Sequence, residues 1–228
     1  MIVIQNRSLR TILRYVIPFA LIPALVLLGA LVFDESRWLI VSLGIAVLAL
    51  LLFMTGFEKR NIGSRRMVLV AVMTALAVVG RFIPIIKPVT ALCVIAGVYL
   101  GAEAGFFTGA LSVLISNIYF GQGPWTPFQM LGFGLIGLIA GYLSRPLIRS
   151  RVLLLVYGVL SGVAYSLIMD VWTVLWYSGD FDPKLYLTAI GSALPFTVSY
   201  AVSNVLFLFL LGKPMGQKLS RIKLKYGI

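Results

Sequence analysis

Asn117, Tyr119, Gln122, Trp125, Thr126 and Gln129 crowd into one stretch, NIYFGQGPWTPFQMLGFGLIGLIAGY, which runs from Asn117 to Tyr142. The polar and aromatic part, Tyr119 to Pro127, is broken by glycine and proline. It opens into an apolar helix with glycines at 132, 134, 137 and 141. Amides, hydroxyls and aromatic rings hydrogen-bond and stack, so this chemistry holds a ligand rather than transforming one. Trp125 alone is what any loop at a membrane surface carries. The set Asn117, Gln122, Thr126 and Gln129 asks for more, because polar groups in lipid are expensive and face something.

Catalysis has little to work with. There is no histidine and one cysteine, Cys93, inside an apolar run. The acids Asp34, Glu35, Glu58, Glu103, Asp170, Asp180 and Asp182 are scattered. No catalytic set and no metal site is expected, and no intrinsic cofactor. Asp170 alone lies deep in an apolar segment. It reads equally as a hydrogen-bond partner between helices and as a ligand contact.

Arg81, Lys87, Trp172, Trp176 and Tyr177 fall at the same depth as Asn117, Tyr119, Gln122, Trp125, Thr126, Gln129 and Asp170. Together they outline a cavity of aromatic walls and a few polar anchors. An aromatic girdle at the lipid surface accounts for about half of those aromatics. On the opposite half, Ala71 and Ala75 sit one turn apart, a small-residue face that admits another helix closely.

The elements that position these residues follow from composition. The 228 residues are 61% hydrophobic, with a mean hydropathy of +1.04. Long continuous apolar runs predict a polytopic all-α membrane protein, since the runs lack the two-residue alternation of a barrel. The net charge of +12 is not read as a nucleic-acid footprint, because the basic residues cluster between apolar runs, the pattern that orients membrane proteins.

Eight spans are expected: 15–33, 38–57, 67–84, two short crossings within 89–119, then 127–143, 152–176 and 185–211. Charge parity chooses two crossings in 89–119. Lys59, Arg60, Arg65 and Arg66 share a side with Arg145, Arg149 and Arg151 only if an even number of spans separates them. Both termini are then cytoplasmic. Of 19 Lys and Arg residues, all but Arg37, Arg81, Lys87 and Lys184 fall on that inner side. The domain reading is 1–64, a basic arm with an accessory transmembrane hairpin; 65–212, a six-helix core; and 213–228, a basic cytoplasmic tail lying along the inner surface. Residues 58–66 are read as the linker between hairpin and core.

The six-span body with Ala71 and Ala75 early in its first helix, paired short helices and an aromatic outer loop resembles the substrate-binding (S) components of energy-coupling factor (ECF) transporters. These are ABC importers for vitamins. The resemblance covers about Arg65 to Gly212. The run from Gly121 to Tyr142 is similar to the cobalamin branch. The resemblance implies a vitamin bound at the outer face, cobalamin or a related corrinoid first, with riboflavin or another vitamin as the alternative. It also implies docking through Ala71 and Ala75 onto a transmembrane coupling subunit, and delivery by toppling in a bacterial cell membrane. Two cytoplasmic ATPase partners use the ATP, and this chain carries no Walker A pattern of its own. A different class, a proton-coupled carrier using Asp170, would transport without an ATPase partner. In that case Asp170→Asn would abolish transport while leaving ligand binding intact. A membrane assembly factor is the third class.

Overall fold

Short glycine spacings set the middle of the bundle. The computed structural model describes residues 7–32, 38–55 and 60–226, and these residues contain helices and no strand. The first rod is α1 (Arg7–Val16), a π-helical turn (Ile17–Leu21) and α2 (Ile22–Val32). Pro18 falls inside the wide turn, where its missing N–H and bulky ring are accommodated. Next come α3 (Trp38–Thr55), α4 (Arg60–Gly80), α5 (Val89–Leu100), α6 (Ala102–Phe120) and α7 (Trp125–Tyr142). The short α8 (Ser144–Arg149) leads into α9 (Arg151–Ser178) and α10 (Pro183–Tyr226).

The region 89–119 is two helices, broken at one residue. Gly101 has φ 107° and ψ 159°, a conformation that glycine adopts without a Cβ clash. Arg66 of α4 secures the break from both sides. Its Nε donates to the Leu100 carbonyl at 2.7 Å, at the end of α5, and its Nη2 lies 3.4 Å from Glu103 Oε2 in the first turn of α6. Base at a helix C-terminus and acid at an N-terminus both suit the helix dipole. Glu103 is buried and also meets Arg14 Nε at 2.8 Å. Through that pair, and through Arg14 Nη2 on the Thr55 carbonyl at 3.1 Å, the N-terminal helices are tied to the core.

α5 is buried on all sides except at Tyr99, as expected of a central apolar helix without a polar face. It packs against α6 and α7 backbone to backbone. A Cβ added at Gly97 would collide with the Gly137 carbonyl, and one at Gly137 with the backbone of Gly105. A Cβ at Gly141 would strike Ala102. Small residues let helices touch in this way, so that dispersion and weak backbone contacts replace the hydrophobic drive missing in lipid.

Four helical stretches, Ser8–Leu31, Trp38–Thr55, Arg151–Ser178 and Pro183–Tyr226, are long and apolar enough to cross a membrane. Between them lie α4 to α7, which hold the charged, polar and glycine positions. Several boundaries differ from the sequence expectation. α4 starts at Arg60, so most of the segment read as a linker is helix. It also stops at Gly80, leaving Arg81 in a turn. The broken loop expected from Tyr119 to Pro127 shrinks to residues 121–124, because α6 runs through Phe120 and α7 starts at Trp125. α10 continues without interruption through Pro214 to Tyr226, where a separate tail was expected. This end packs on the core: Lys223 Nζ donates to the Tyr99 carbonyl at 2.9 Å, and Gly216 abuts the Tyr99 ring. At about 66 Å, α10 is longer than a bilayer with its headgroups is thick. The tight turn expected at Asp34 to Arg37, the arm before Arg7 and the pair Glu58 and Lys59 lie outside the described residues.

Gly137→Leu places a side chain where only backbone fits. Overpacking against side chains costs about 1–3 kcal/mol, and here backbone must move instead. The expected outcome is loss of the monodisperse peak in detergent size-exclusion chromatography. Gly191→Ala, where an added Cβ meets open space, should elute as the unaltered protein does.

Candidate functional site

The turn 81–88 closes one end of α4, and its backbone is held down by α10. Ser203 Oγ donates to the Lys87 carbonyl at 2.8 Å, and Ser199 Oγ to the Ile85 carbonyl at 3.4 Å. Ile85 has φ +63°, a left-handed conformation unusual for a β-branched residue, and is exposed. Backbone strain of this kind persists where surrounding contacts over-determine it, often beside ligands.

Beneath the turn lies a cavity of about 460 Å³, within the range that takes a drug-sized molecule. Its walls come from the turn, α5, α7, α9 and α10. Aromatic rings form one side: Phe133 stacks on Tyr165 at 4.3 Å between centroids, and Tyr165 meets Tyr200 edge-on at 5.2 Å. Polar groups are set between them. Arg81, Lys87, Thr90, Gln129, Ser199, Ser203 and Asn204 all reach the wall.

A hydrogen-bond network fixes the Arg81 side. Arg81 Nη1 donates to Ser116 Oγ at 2.6 Å and lies 3.4 Å from the Val113 carbonyl; Nη2 lies 3.4 Å from Gln129 Oε1. Asn117 Nδ2 donates to both Gln129 Oε1, at 3.0 Å, and Thr126 Oγ1, at 2.9 Å. Asn117 and Thr126 are fully buried. Each polar group here has a partner, as burial requires, and Gln129 is thereby held toward the cavity. Burial, and then the Arg81 charge, push the Lys87 ammonium below its ordinary value.

Of the residues singled out in the sequence, Arg81, Lys87 and Gln129 line this cavity. Asn117 and Thr126 stand behind Gln129 as its support. Gln122 folds its own loop back, donating to the Leu114 carbonyl at 2.8 Å. Trp125 sits edge-on to Trp172, which stacks on Trp176. Tyr119 is exposed and packs on Phe82 and Phe120. Tyr177 is exposed, and Asp170 is buried in α9 away from the cavity wall. At the other end, Ala71 and Ala75 both lie on the exposed face of α4, flanked by exposed Val68, Val72, Leu76 and Val79.

Tyr165, Tyr200, Ser199, Ser203, Asn204 and Phe133 escaped sequence reasoning. A signal was there: Ser199 with Ser203, and Tyr200 with Asn204, repeat at four residues in an otherwise apolar run, which lines polar groups along one helical stripe.

A helical membrane bundle with one aromatic, polar-anchored cavity and no clustered catalytic or metal-ligating side chains among its described residues has the make-up of a membrane-embedded solute-binding subunit. The family described as ECF-type riboflavin transporter, S component, matches residues 61–219, and the chain belongs to that family. It is therefore the substrate-binding subunit of a multi-pass vitamin transporter, working with coupling and ATPase partners, and not an enzyme. The matched region leaves the N-terminal helices outside it and includes most of α10. No curated protein and no solved structure matches the chain.

Asn117→Ala removes two buried hydrogen bonds, to Gln129 and Thr126, which keep only the longer contacts from Arg81 Nη2 and the Gly123 N–H. The expected loss is about 1–3 kcal/mol, read as a lower melting temperature of the ligand-free protein in detergent. Tyr119→Ala, at an exposed ring, should stay within about 0.5 kcal/mol of the unaltered protein.

Proposed function

We propose that the cavity under the turn 81–88 captures a flavin-class vitamin from the outer side of a bacterial cell membrane. The observation that carries this reading is the match of size and wall chemistry. A cavity of about 460 Å³ with a Phe133–Tyr165–Tyr200 wall suits a flat heteroaromatic ring with a short polar chain. The sequence reading put cobalamin first and riboflavin among the alternatives. The family description names riboflavin, and a corrin ring with its amide arms and nucleotide loop is much larger than this space. Both considerations support the flavin.

Orientation follows the positive-inside rule. The end bearing Arg145, Arg149, Arg151 and the C-terminal part of α10 is cytoplasmic, and the turn 81–88 faces out. Eight crossings with both termini inside fit the alternation of the helices. Ala71 and Ala75, exposed together on α4, are the docking face for the coupling subunit, where close helix approach needs small residues. ATP is hydrolysed by the two ATPase partners. Toppling of the subunit then presents the cavity inward. Asp170 lies off the cavity wall, so a carrier mechanism built on it gains no support from the site.

Flavin fluorescence is quenched on stacking with tyrosine, so titrating the purified protein with riboflavin tests the reading directly. Saturable quenching at micromolar concentration or below is expected, and cobalamin should not compete. Absence of quenching with tight cobalamin binding would overturn it. Ala71→Trp and Ala75→Trp should abolish uptake in cells carrying the coupling module while riboflavin titration stays unchanged. Loss of binding in these variants would show that the face packs the fold instead.

A further inference from the structure

Two cations face the cavity, and no acid answers them among the described residues. The carboxylates in the described segments are Glu103, Asp170, Asp180 and Asp182. Glu103 is paired with Arg14 and Arg66 at the opposite end of the bundle. None of the other three lines the cavity. The three partners of the Arg81 guanidinium, Ser116, Gln129 and the Val113 carbonyl, are all neutral. Lys87 Nζ lies 5.8 Å from the centroid of the Phe120 ring, and Arg81 Cζ lies 5.7 Å from the same centroid. The shared ring gathers both charges on one side of the space. Arg81 is partly buried, and Lys87 stands at the rim.

Two like charges brought together and partly desolvated oppose each other, and an anion between them reverses that cost. Binding sites are arranged so that ligand and protein potentials complement one another. A guanidinium is suited to two-pronged contact with phosphate, and an ammonium supplies a point charge beside it. Riboflavin, being neutral, does not bring the missing charge. The aromatic wall of Phe133, Tyr165 and Tyr200 and the cationic side of Arg81 and Lys87 border the same cavity. A single ligand with a ring at one end and an acidic group at the other satisfies both.

We infer that Arg81 and Lys87 form an anion subsite, and that the preferred ligand is a flavin phosphorylated on its side chain rather than the neutral vitamin. This rests on the flavin reading above and refines it. The ring lies along the tyrosines, and the phosphate points to the rim beneath the turn 81–88.

The test is a matched pair of fluorescence titrations on the purified full chain, with riboflavin and with flavin mononucleotide, at low and at high salt. Flavin mononucleotide should bind at least tenfold more tightly at low salt, and the margin should shrink as salt screens the charges. Lys87→Gln should narrow the ratio between the two ligands, and Lys87→Glu should invert it. Lys87 sits at the rim in an exposed turn, so both variants are expected to fold. Arg81→Gln is the companion variant, and its melting temperature is read alongside. Equal or tighter binding of riboflavin would overturn the inference and leave the flavin reading standing. Binding of neither flavin would remove both. A phosphate preference that survives Lys87→Glu and Arg81→Gln would remove the assignment to these two residues.

Discussion

Contact between the backbones of α5, α6 and α7 governs everything else in this chain. Gly97, Gly105 and Gly137 meet where no Cβ fits. The three helices therefore stand closer than ordinary side chains permit. In a bilayer, apolar surface alone gives no reason for helices to associate, so close packing must supply the attraction. Once these three are fixed, α6 and α7 are locked at the end where Asn117 meets Thr126 and Gln129. The polar network that holds Arg81 thus stands on a rigid floor of glycines. Such a floor lets a membrane protein keep buried amides and a guanidinium in defined positions without a large soluble scaffold.

The two ends of the bundle use charge in opposite ways. At one end, Glu103 is gripped by Arg14 and Arg66, and the arginine also closes the break at Gly101. Charge there is neutralised within the protein and serves the fold. At the other end, the partners of Arg81 and Lys87 among the described residues are neutral. Charge left open at a cavity is available to a ligand. The lipid-facing helices α9 and α10 add rings and hydroxyls rather than charge. Their large exposed apolar surface is what the bilayer solvates.

The all-helical architecture was legible in the sequence, because long apolar runs without two-residue alternation report helices. The two-helix reading of 89–119 came from charge parity alone, and the break falls at Gly101, where the backbone requires glycine. Helix ends were less legible. Charged residues such as Arg65 and Arg66 look like loop punctuation, yet they continue α4 and pack back onto α5 and α10. The same holds for the basic tail, which is helical to Tyr226. Of the residues lining the cavity or standing behind it, the sequence singled out Arg81, Lys87, Gln129, Asn117 and Thr126. Tyr165, Tyr200 and Ser203 come from distant apolar helices. Nothing in local composition says that they converge on the turn 81–88. That convergence is a product of the packing of α9 and α10 on α5 and α7.

In the proposed function the vitamin occupies the space between the turn 81–88, α7, α9 and α10. Cys93, the chain's one cysteine, is buried, so a Ser199→Cys variant gives a single reporter on the cavity wall. The rate of its alkylation by a small maleimide is measured with and without saturating flavin, beside Lys184→Cys at the exposed start of the same helix. Occupancy of this cavity slows the reaction at position 199 by at least tenfold and leaves position 184 unchanged. Equal rates at position 199 with and without bound flavin would place the vitamin elsewhere.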